Sequence, residues 1–403
     1  MKLAKLSLAA IVVAGLTTSS FAADTLADAF KNGKVSGQLK SSYFSKDNGT
    51  TTEGIINTGI TLGYVTDAFM GFKMGATLQS SHAPFADGAI GTANTEKDMF
   101  KGDLYGSGAV LSEAYLEYNV GNTMARVGRQ FVAKTPLVTS SGSRFIRTAI
   151  EGAVIINKDL PDTTLWAAYV DKYQNRTDDA GNIAKFLGNY SESKNLGENG
   201  AYSMMVLNKS IPGVTLTAQY GDMVDHFNIY YLEAAYAGKA SNFTYGLAAQ
   251  YSGTNYDPLS SKNTGISNDT SYYGVKASLG VGDFNGYIAY SKVDDDGDAQ
   301  DSIIATDPIF TANEISSNTY KATEKAYAID ANYKINANAK LGARYTSYSY
   351  DTIEVDVDIM CYYGEYNFDG ALKGFGLEAY FETLDKATGA DTKELRFKAI
   401  YKF

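Results

Sequence analysis

Apolar side chains recur at every second residue along nearly the whole chain, and this period fixes what the backbone can become. In Val214-Thr215-Leu216-Thr217-Ala218-Gln219-Tyr220 each odd–even step alternates apolar with polar or small. Phe243, Tyr245, Leu247, Ala249 and Tyr251 repeat the pattern, as do Tyr327, Ile329, Ala331, Tyr333 and Ile335. A period of two places one set on each face of an extended strand. Tyrosine, with 31 residues against six prolines, favours the same conformation.

Such segments fall near 34–44, 55–66, 72–81, 109–120, 124–132, 149–157, 163–172, 201–209 and 214–221. They continue near 229–239, 243–252, 270–281, 285–294, 323–335, 339–350, 355–367, 375–385 and 392–403. Eighteen strands result, an even number. Short connections with turn chemistry (Gly121-Asn122-Thr123, Ile211-Pro212-Gly213, Gly282-Asp283, Asn336-Ala337-Asn338) alternate with long polar ones, such as 82–108, 173–200 and 295–321. Loop length biased to one side of an even strand count predicts an all-β, transmembrane antiparallel β-barrel, with short periplasmic turns and long extracellular loops. About ten residues per strand suffice to cross the hydrocarbon layer when tilted. Tyrosines on the apolar face fit an interfacial girdle, although any single tyrosine is equally at home in ordinary β packing. The last strand alternates Leu395, Phe397, Ala399, Tyr401 and Phe403 with Arg396, Lys398, Ile400 and Lys402.

Ahead of the strands, Met1-Lys2-Leu3-Ala4-Lys5 precedes an apolar run to Leu16 and small residues at Ser20 and Ala22. This is the form of a secretory signal over 1–22, cleaved after Ala22, and the run is too short for a spanning helix. A brief periplasmic segment, 23–33, then leads into a single barrel domain, 34–403, whose texture never changes. Losing Lys2 and Lys5 takes the formal charge from −10 to −12. An acidic chain of this kind does not neutralise phosphate backbones, so nucleic acid is excluded as a partner. Outer-membrane lipid and small hydrophilic solutes or ions are the partners expected.

An eighteen-stranded barrel is too wide for side chains to fill, so the inward face should be polar. It is, at Lys73, Thr77 and Gln79, at Glu113 and Glu117, at Thr215, Thr217 and Gln219, and at Asp330, Asn332 and Lys334. Arg344 and Thr346, Glu378 and Glu382, and Arg396 and Lys398 continue it. A polar lumen across a membrane is a channel for passive diffusion. Four of the seven arginines, Arg126, Arg129, Arg144 and Arg147, cluster in strand five and the loop after it. Their fixed charge and planar fork suit a constriction that reads carboxylates. The bland alternative is wall and rim arginines paired to Asp and Glu. Arg126 and Arg129 have opposite parity, so both face inward only if a bulge intervenes at Gly128. The candidate pore-lining set is Arg126, Arg129, Arg144, Arg147, Glu113, Glu117, Arg344 and Lys73.

Enzyme chemistry finds no constellation. Cys361 is the only thiol and reads as a quiet wall residue, while His82 and His226 fall in expected outside loops. Closely spaced glycines are not followed by Gly-Lys-Ser/Thr, so no phosphate loop is present. Asp294-Asp295-Asp296-Gly297-Asp298, with Asp301 beyond, offers clustered carboxylates to Ca²⁺ but departs from the EF-hand pattern; a solvated acidic loop is the preferred reading, and no cofactor is expected.

The run from Gly128-Arg129-Gln130 through Thr135-Pro136, the small residues 139–143, Arg144 and Arg147 to Glu151-Gly152 resembles the OprD-type porins of Gram-negative outer membranes. The segment from Leu26 to Gln38, with Gly128-Arg129-Gln130, also looks like the related major porins of Campylobacter-like bacteria. The similarity covers about a third of the chain, chiefly in its N-terminal half. It implies an eighteen-stranded barrel in the outer membrane, loops folded inward, a homotrimer, and uptake of small solutes including amino acids and other carboxylates. By that match the channel-lining arginine falls on Arg129, with Arg144 and Arg147 on the inward loop; the Campylobacter-type porins also imply Ca²⁺. The later strands carry few basic residues, so weak cation preference competes with a basic track for organic acids. A surface barrel with a closed lumen, serving structure or adhesion, is the alternative.

Overall fold

A computed structural model describes residues 23–84, 107–133, 135–178, 182–188, 199–257, 268–316, 318–351, 356–387 and 389–403. The expected signal segment lies outside these residues, as does most of the 82–108 loop.

A six-residue helix, α1 (Leu26–Lys31), opens the described chain, capped by the Thr25 side chain accepting from the Asp28 amide. Its Ala29 carbonyl accepts from Asp67 N at 2.9 Å, and the Tyr64 hydroxyl donates to Phe30 O. The helix is thereby tied across the turn that follows the second strand.

The first strands are β1 (Lys34–Asp47), β2 (Thr52–Val65), β3 (Phe72–Ser81), β4 (Gly108–Val120), β5 (Thr123–Gln130), β6 (Ala149–Asn157) and β7 (Thr163–Gln174). After the two-residue β8 (Phe186–Leu187) come β9 (Ala201–Asn208), β10 (Val214–Met223), β11 (Phe227–Ala240), β12 (Phe243–Tyr256) and β13 (Thr270–Val281). The wall ends with β14 (Phe284–Val293), β15 (Lys325–Lys334), β16 (Ala339–Ser349), β17 (Val357–Asn367), β18 (Phe375–Lys386) and β19 (Thr392–Lys402). Apart from β8, which pairs only with the last two residues of β7, eighteen strands pair antiparallel with their neighbours. β1 pairs with β2 on one side and with β19 on the other, which closes the barrel. Gly37 and Phe403 exchange two amide–carbonyl bonds of 3.0 Å at the seam.

Alternation explains the two faces. On β12, Leu247 is 60 % exposed on the outer surface, whereas Gln250 and Ser252 are buried inward. Ile288, Ile329 and Leu341 are likewise exposed outward. A continuous apolar belt of this extent is unstable in water and at rest in hydrocarbon. Tyrosines border it. Tyr169 and Tyr202 pack at 4.9 Å between ring centres, and Tyr290 and Tyr327 do the same, along the edge nearer the long loops. Phe72 and Tyr118, 4.6 Å apart, and Tyr236 and Tyr245 mark the edge nearer the short turns. Among the described residues no helix is long and apolar enough to cross a membrane; the strands do so.

The short turns need special backbone. Gly121 and Gly282 take positive φ of 54° and 57° in two-residue links, where an L side chain is strained. At 336–338 the Asn336 carbonyl oxygen accepts from the amides of Asn338 and Ala339, replacing a backbone turn with a side chain.

Strand five ends two residues earlier than its alternation predicts. The Phe131 amide donates to Glu113 Oε1 at 3.0 Å and the Val132 amide to Ser140 Oγ at 2.9 Å, so the chain leaves the wall and turns into the lumen.

Candidate functional site

Two of the described loops fold into the lumen. The first, L3 (131–148), is the one that the arginine cluster pointed to. Gln219 on β10 accepts from the Leu137 amide and donates to Thr135 Oγ1, both at 3.0 Å. Gln79 on β3 holds the other end, exchanging bonds of 2.8 and 2.9 Å with the Arg147 backbone. The second, L7 (294–324), spans the stretch 295–321 expected as an outside loop; the structure folds it inward. Its Ile303, Ile304, Ile309 and Phe310 are buried, and no regular polar surface loop tolerates four such residues. Gln250 on β12 accepts from the Phe310 amide at 2.8 Å, and Thr311 pairs with Ser291 at 2.6 Å.

L3 and L7 meet in mid-lumen, where Val138 and Ile304 form a parallel bridge and the Ile304 amide donates to Leu137 O at 3.1 Å. Around that bridge Leu137, Ile303 and Ile304 pack on Trp166, Met223 and Ile229 of the wall. The lumen beside β6–β11 is therefore filled with apolar side chains. Charged groups collect on the other side, facing β14–β19 and β1–β4.

There Arg344 on β16 binds Asp330 Oδ2 at 3.0 Å, the Ala312 carbonyl at 2.9 Å and Glu314 at 3.0 Å, which ties L7 to the wall. Glu382 on β18 accepts from the Ser316 amide at 3.1 Å and from its hydroxyl. Across from L7, Lys40 on β1 donates to Phe145 O at 2.8 Å and Lys398 on β19 to Ser143 O at 3.0 Å, which ties L3 down. Arg144, at the tip between them, stands 3.9 Å from Glu394, whose same oxygen accepts from Arg396 Nε at 2.6 Å. Cations and carboxylates are thus intermixed where the loops approach the wall.

The sequence-derived candidates separate on this geometry. Arg144, Arg344 and Glu113 stand at the narrowed lumen or its loops. Arg147 is turned into L3, its Nε donating to Ser140 O at 3.1 Å and its guanidinium stacked 4.4 Å over Phe131. Arg126 and Glu117 pair lower in the wall, with Nε to Oε2 at 2.9 Å, Arg126 covering the Tyr115 ring; Lys73 sits opposite Glu117 on β3. Arg129 does not reach the lumen. Its pairings run unbroken through Gly128, so it keeps the outward parity of Val127 and binds Glu151 on β6 at 2.8 Å. Gly128 serves close approach instead: a Cβ there would lie 2.3 Å from Ala114 O, at a φ of 118°. Lys40 and Glu394 were missed by the sequence reading; inward parity marks both, but neither belongs to an arginine cluster. Cys361 is buried on β17, directly opposite Arg344 and Glu382.

The acidic run begins where β14 ends. Carboxylate oxygens of Asp294, Asp295 and Asp296 lie within 4.8 Å of one another, while Asp298 is engaged by Lys321 at 3.1 Å and by the Ala322 amide. Asp295 and Asp296 are exposed and Asp294 is half-buried, so with Asp298 engaged the run presents three carboxylates at the edge of the loop.

A closed barrel with an apolar belt, a polar lumen and two inward loops defines a channel of the outer-membrane β-barrel class. The chain matches the family model for outer membrane porins of the OprD family over residues 52–343, and it belongs to that family. Among solved structures it is similar to OccK8 (OprE) of Pseudomonas aeruginosa, with a TM-score of 0.78 at 16 % identity, covering 93 % of this chain and 99 % of that one. OccAB2 of Acinetobacter baumannii aligns with a TM-score of 0.76 at 18 % identity over the same shares. OpdK of Pseudomonas aeruginosa, crystallised with vanillate, aligns with 0.76 at 14 %, again over 93 % and 99 %. No curated protein matches the sequence.

Proposed function

We propose that the protein is a passive-diffusion porin whose narrowed lumen favours small solutes bearing a carboxylate, amino acids foremost. The observation that carries this reading is the intermixing of charge where L3 and L7 approach the wall. Arg144, Lys40 and Lys398 lie on one side, with Glu314, Glu382 and Glu394 close by. A uniform basic track would favour anions and a uniform acidic one cations; both signs within a short path suit a zwitterion, which presents both. The structure of OpdK with vanillate, a small carboxylate, supports this reading. The reading includes export by the 1–22 signal, residence in a Gram-negative outer membrane, ion passage, and assembly as a homotrimer.

Refolded protein in planar bilayers should give stepwise conductance, and liposomes containing it should admit amino acids faster than neutral sugars of equal size. Arg144→Ala with Lys398→Ala should move the reversal potential toward cations, whereas Arg129→Ala should leave it in place. A folded barrel with no conductance would overturn the reading in favour of a closed surface barrel. Equal flux for amino acids and sugars would leave a porin without the selectivity.

A further inference from the structure

The outer wall carries a hollow that the channel does not use. Ala125 on β5, Ala153 on β6 and Ala167 on β7 all face outward, among neighbours that are Leu, Ile or Tyr. Their short side chains leave a groove of about 490 Å³, with Leu116 and Tyr118 as one bank and Tyr169, Tyr202 and Met204 as the other. The Tyr169–Tyr202 pair belongs to the aromatic border nearer the long loops, so the groove lies inside the hydrocarbon and opens toward the outer leaflet.

One step further along the same outward register sit Arg129, Glu151 and Lys172, in line on β5, β6 and β7. A bulge at Asp171 gives β7 the extra residue that turns Lys172 outward. Glu151 is shared, taking Arg129 Nε at 2.8 Å and Lys172 Nζ at 2.7 Å, and Asp171 lies 3.3 Å from Lys172. Both cations keep more than a third of their side-chain surface exposed. The Arg129 guanidinium rests 4.4 Å over the Phe186 ring, which fixes its plane. Only its Nε is spent; among the described residues, Nη1 and Nη2 have no hydrogen-bond partner, and they form the edge that grips phosphate oxygens bidentately.

The geometry points to a binding site for a phosphorylated outer-leaflet lipid, with an acyl chain in the Ala125/Ala153/Ala167 groove and a phosphate on Arg129 and Lys172. The apolar hollow and the donors are stacked along the membrane normal in the order of such a lipid's own parts. A neighbouring barrel is a poorer occupant, because a convex wall would rest on the two banks and leave the floor empty, whereas a flexible chain fills it. Charge on the wall is balanced, so attraction comes from unspent donors held at headgroup height rather than from a net positive field.

The test is native mass spectrometry of the full-length barrel in mild detergent, with added bisphosphorylated glucosamine lipid (lipid A), the same lipid dephosphorylated, and inorganic phosphate. One lipid per protomer is expected to survive on the wild type. Arg129→Gln and Lys172→Gln should each weaken retention about fivefold, the effect of one cation near an anionic lipid surface. Dephosphorylation of the lipid should weaken retention as much as Arg129→Gln and Lys172→Gln combined. Ala153→Leu and, separately, Ala125→Leu, which fill the groove and leave the charges alone, should also release it. Folding is checked by heat-modifiable migration and by conductance, which these outward-facing changes should not alter. Equal lipid retention by all variants, or phosphate bound as well without its acyl chains, would overturn the site. So would a groove-filling variant that changes the oligomeric state and not the bound lipid, since a second copy would then be the occupant.

Discussion

Arg344 shows how much one side chain can organise. It holds the Asp330 carboxylate on its own wall and the Ala312 carbonyl and Glu314 on L7. Asp330 is 4 % exposed and also accepts from the Tyr363 hydroxyl. Replacing Arg344 by Ala strands a buried carboxylate, at a cost of about 3 kcal/mol. It also frees the inner arc of L7. The expected outcome is a larger and noisier single-channel conductance, read in planar bilayers; an unchanged trace would mean that L7 is held by its other anchors. Tyr320, at the far end of L7, makes a pH-dependent contribution. Burial, and then the Asp307 carboxylate that accepts its hydroxyl, push its ionisation well above the ordinary tyrosine range. Folded protein therefore holds that proton more tightly than unfolded chain. The stabilisation is complete below about pH 10 and is lost as pH climbs beyond it. Limited proteolysis of L7 should accelerate above that pH in the wild type, and less so in Tyr320→Phe.

At the scale of elements, the strands were legible and the loops were not, for a physical reason. A strand between lipid and water must alternate, so β12 and β15 announce themselves, and most observed boundaries lie within about three residues of the alternation. L7 carries Ile303, Ile304, Ile309 and Phe310 without any period, so nothing local distinguishes folding inward from a sticky surface loop. Its place is set by partners far off in the chain, such as Gln250 and Glu382. The arginine cluster did locate L3. It failed for Arg129, where motif similarity favoured the lumen and strand parity the outside; parity prevailed because Gly128 interrupts neither pairing. Lys40 was readable from parity alone but carried no motif. L3 is held at several points, and Gln219 is the anchor of its first half. Gln219→Ala removes three hydrogen bonds, one to Ser203 on β9 and two to L3 worth about 2 kcal/mol together, and leaves the Leu137 amide unsatisfied. Loop flicker in single-channel records should rise while the barrel's thermal transition barely moves, because β10 keeps its ladders to β9 and β11.

For the molecule as a whole, all eighteen ladders are paired, and stability is spread round the wall rather than held in a central core. Apolar packing inside is packing of loop on wall, as where Leu137, Val138, Ile303 and Ile304 meet Trp166, Met223 and Ile229. Unfolding the lumen and unfolding the wall should therefore separate. In mild denaturant, loop protection measured by hydrogen exchange should vanish well before strand protection, and circular dichroism should still report sheet. A single cooperative loss of both would show that the loops brace the wall. If the 1–22 segment is removed on export as proposed, intact-mass measurement of outer-membrane material should place the mature start at Ala23, whose amide already bonds Ala68 O at 2.8 Å.

The Gly37–Phe403 exchange at the seam of β1 and β19 bears on how such a molecule is made. A sheet that ends where it begins has no stable three-quarter version: any copy lacking Thr392–Lys402 presents two raw margins to the lipid, each a row of unmet amides and carbonyls. Insertion is then a commitment taken once, by a chain whose earliest strand must wait, unsatisfied on one flank, for its latest.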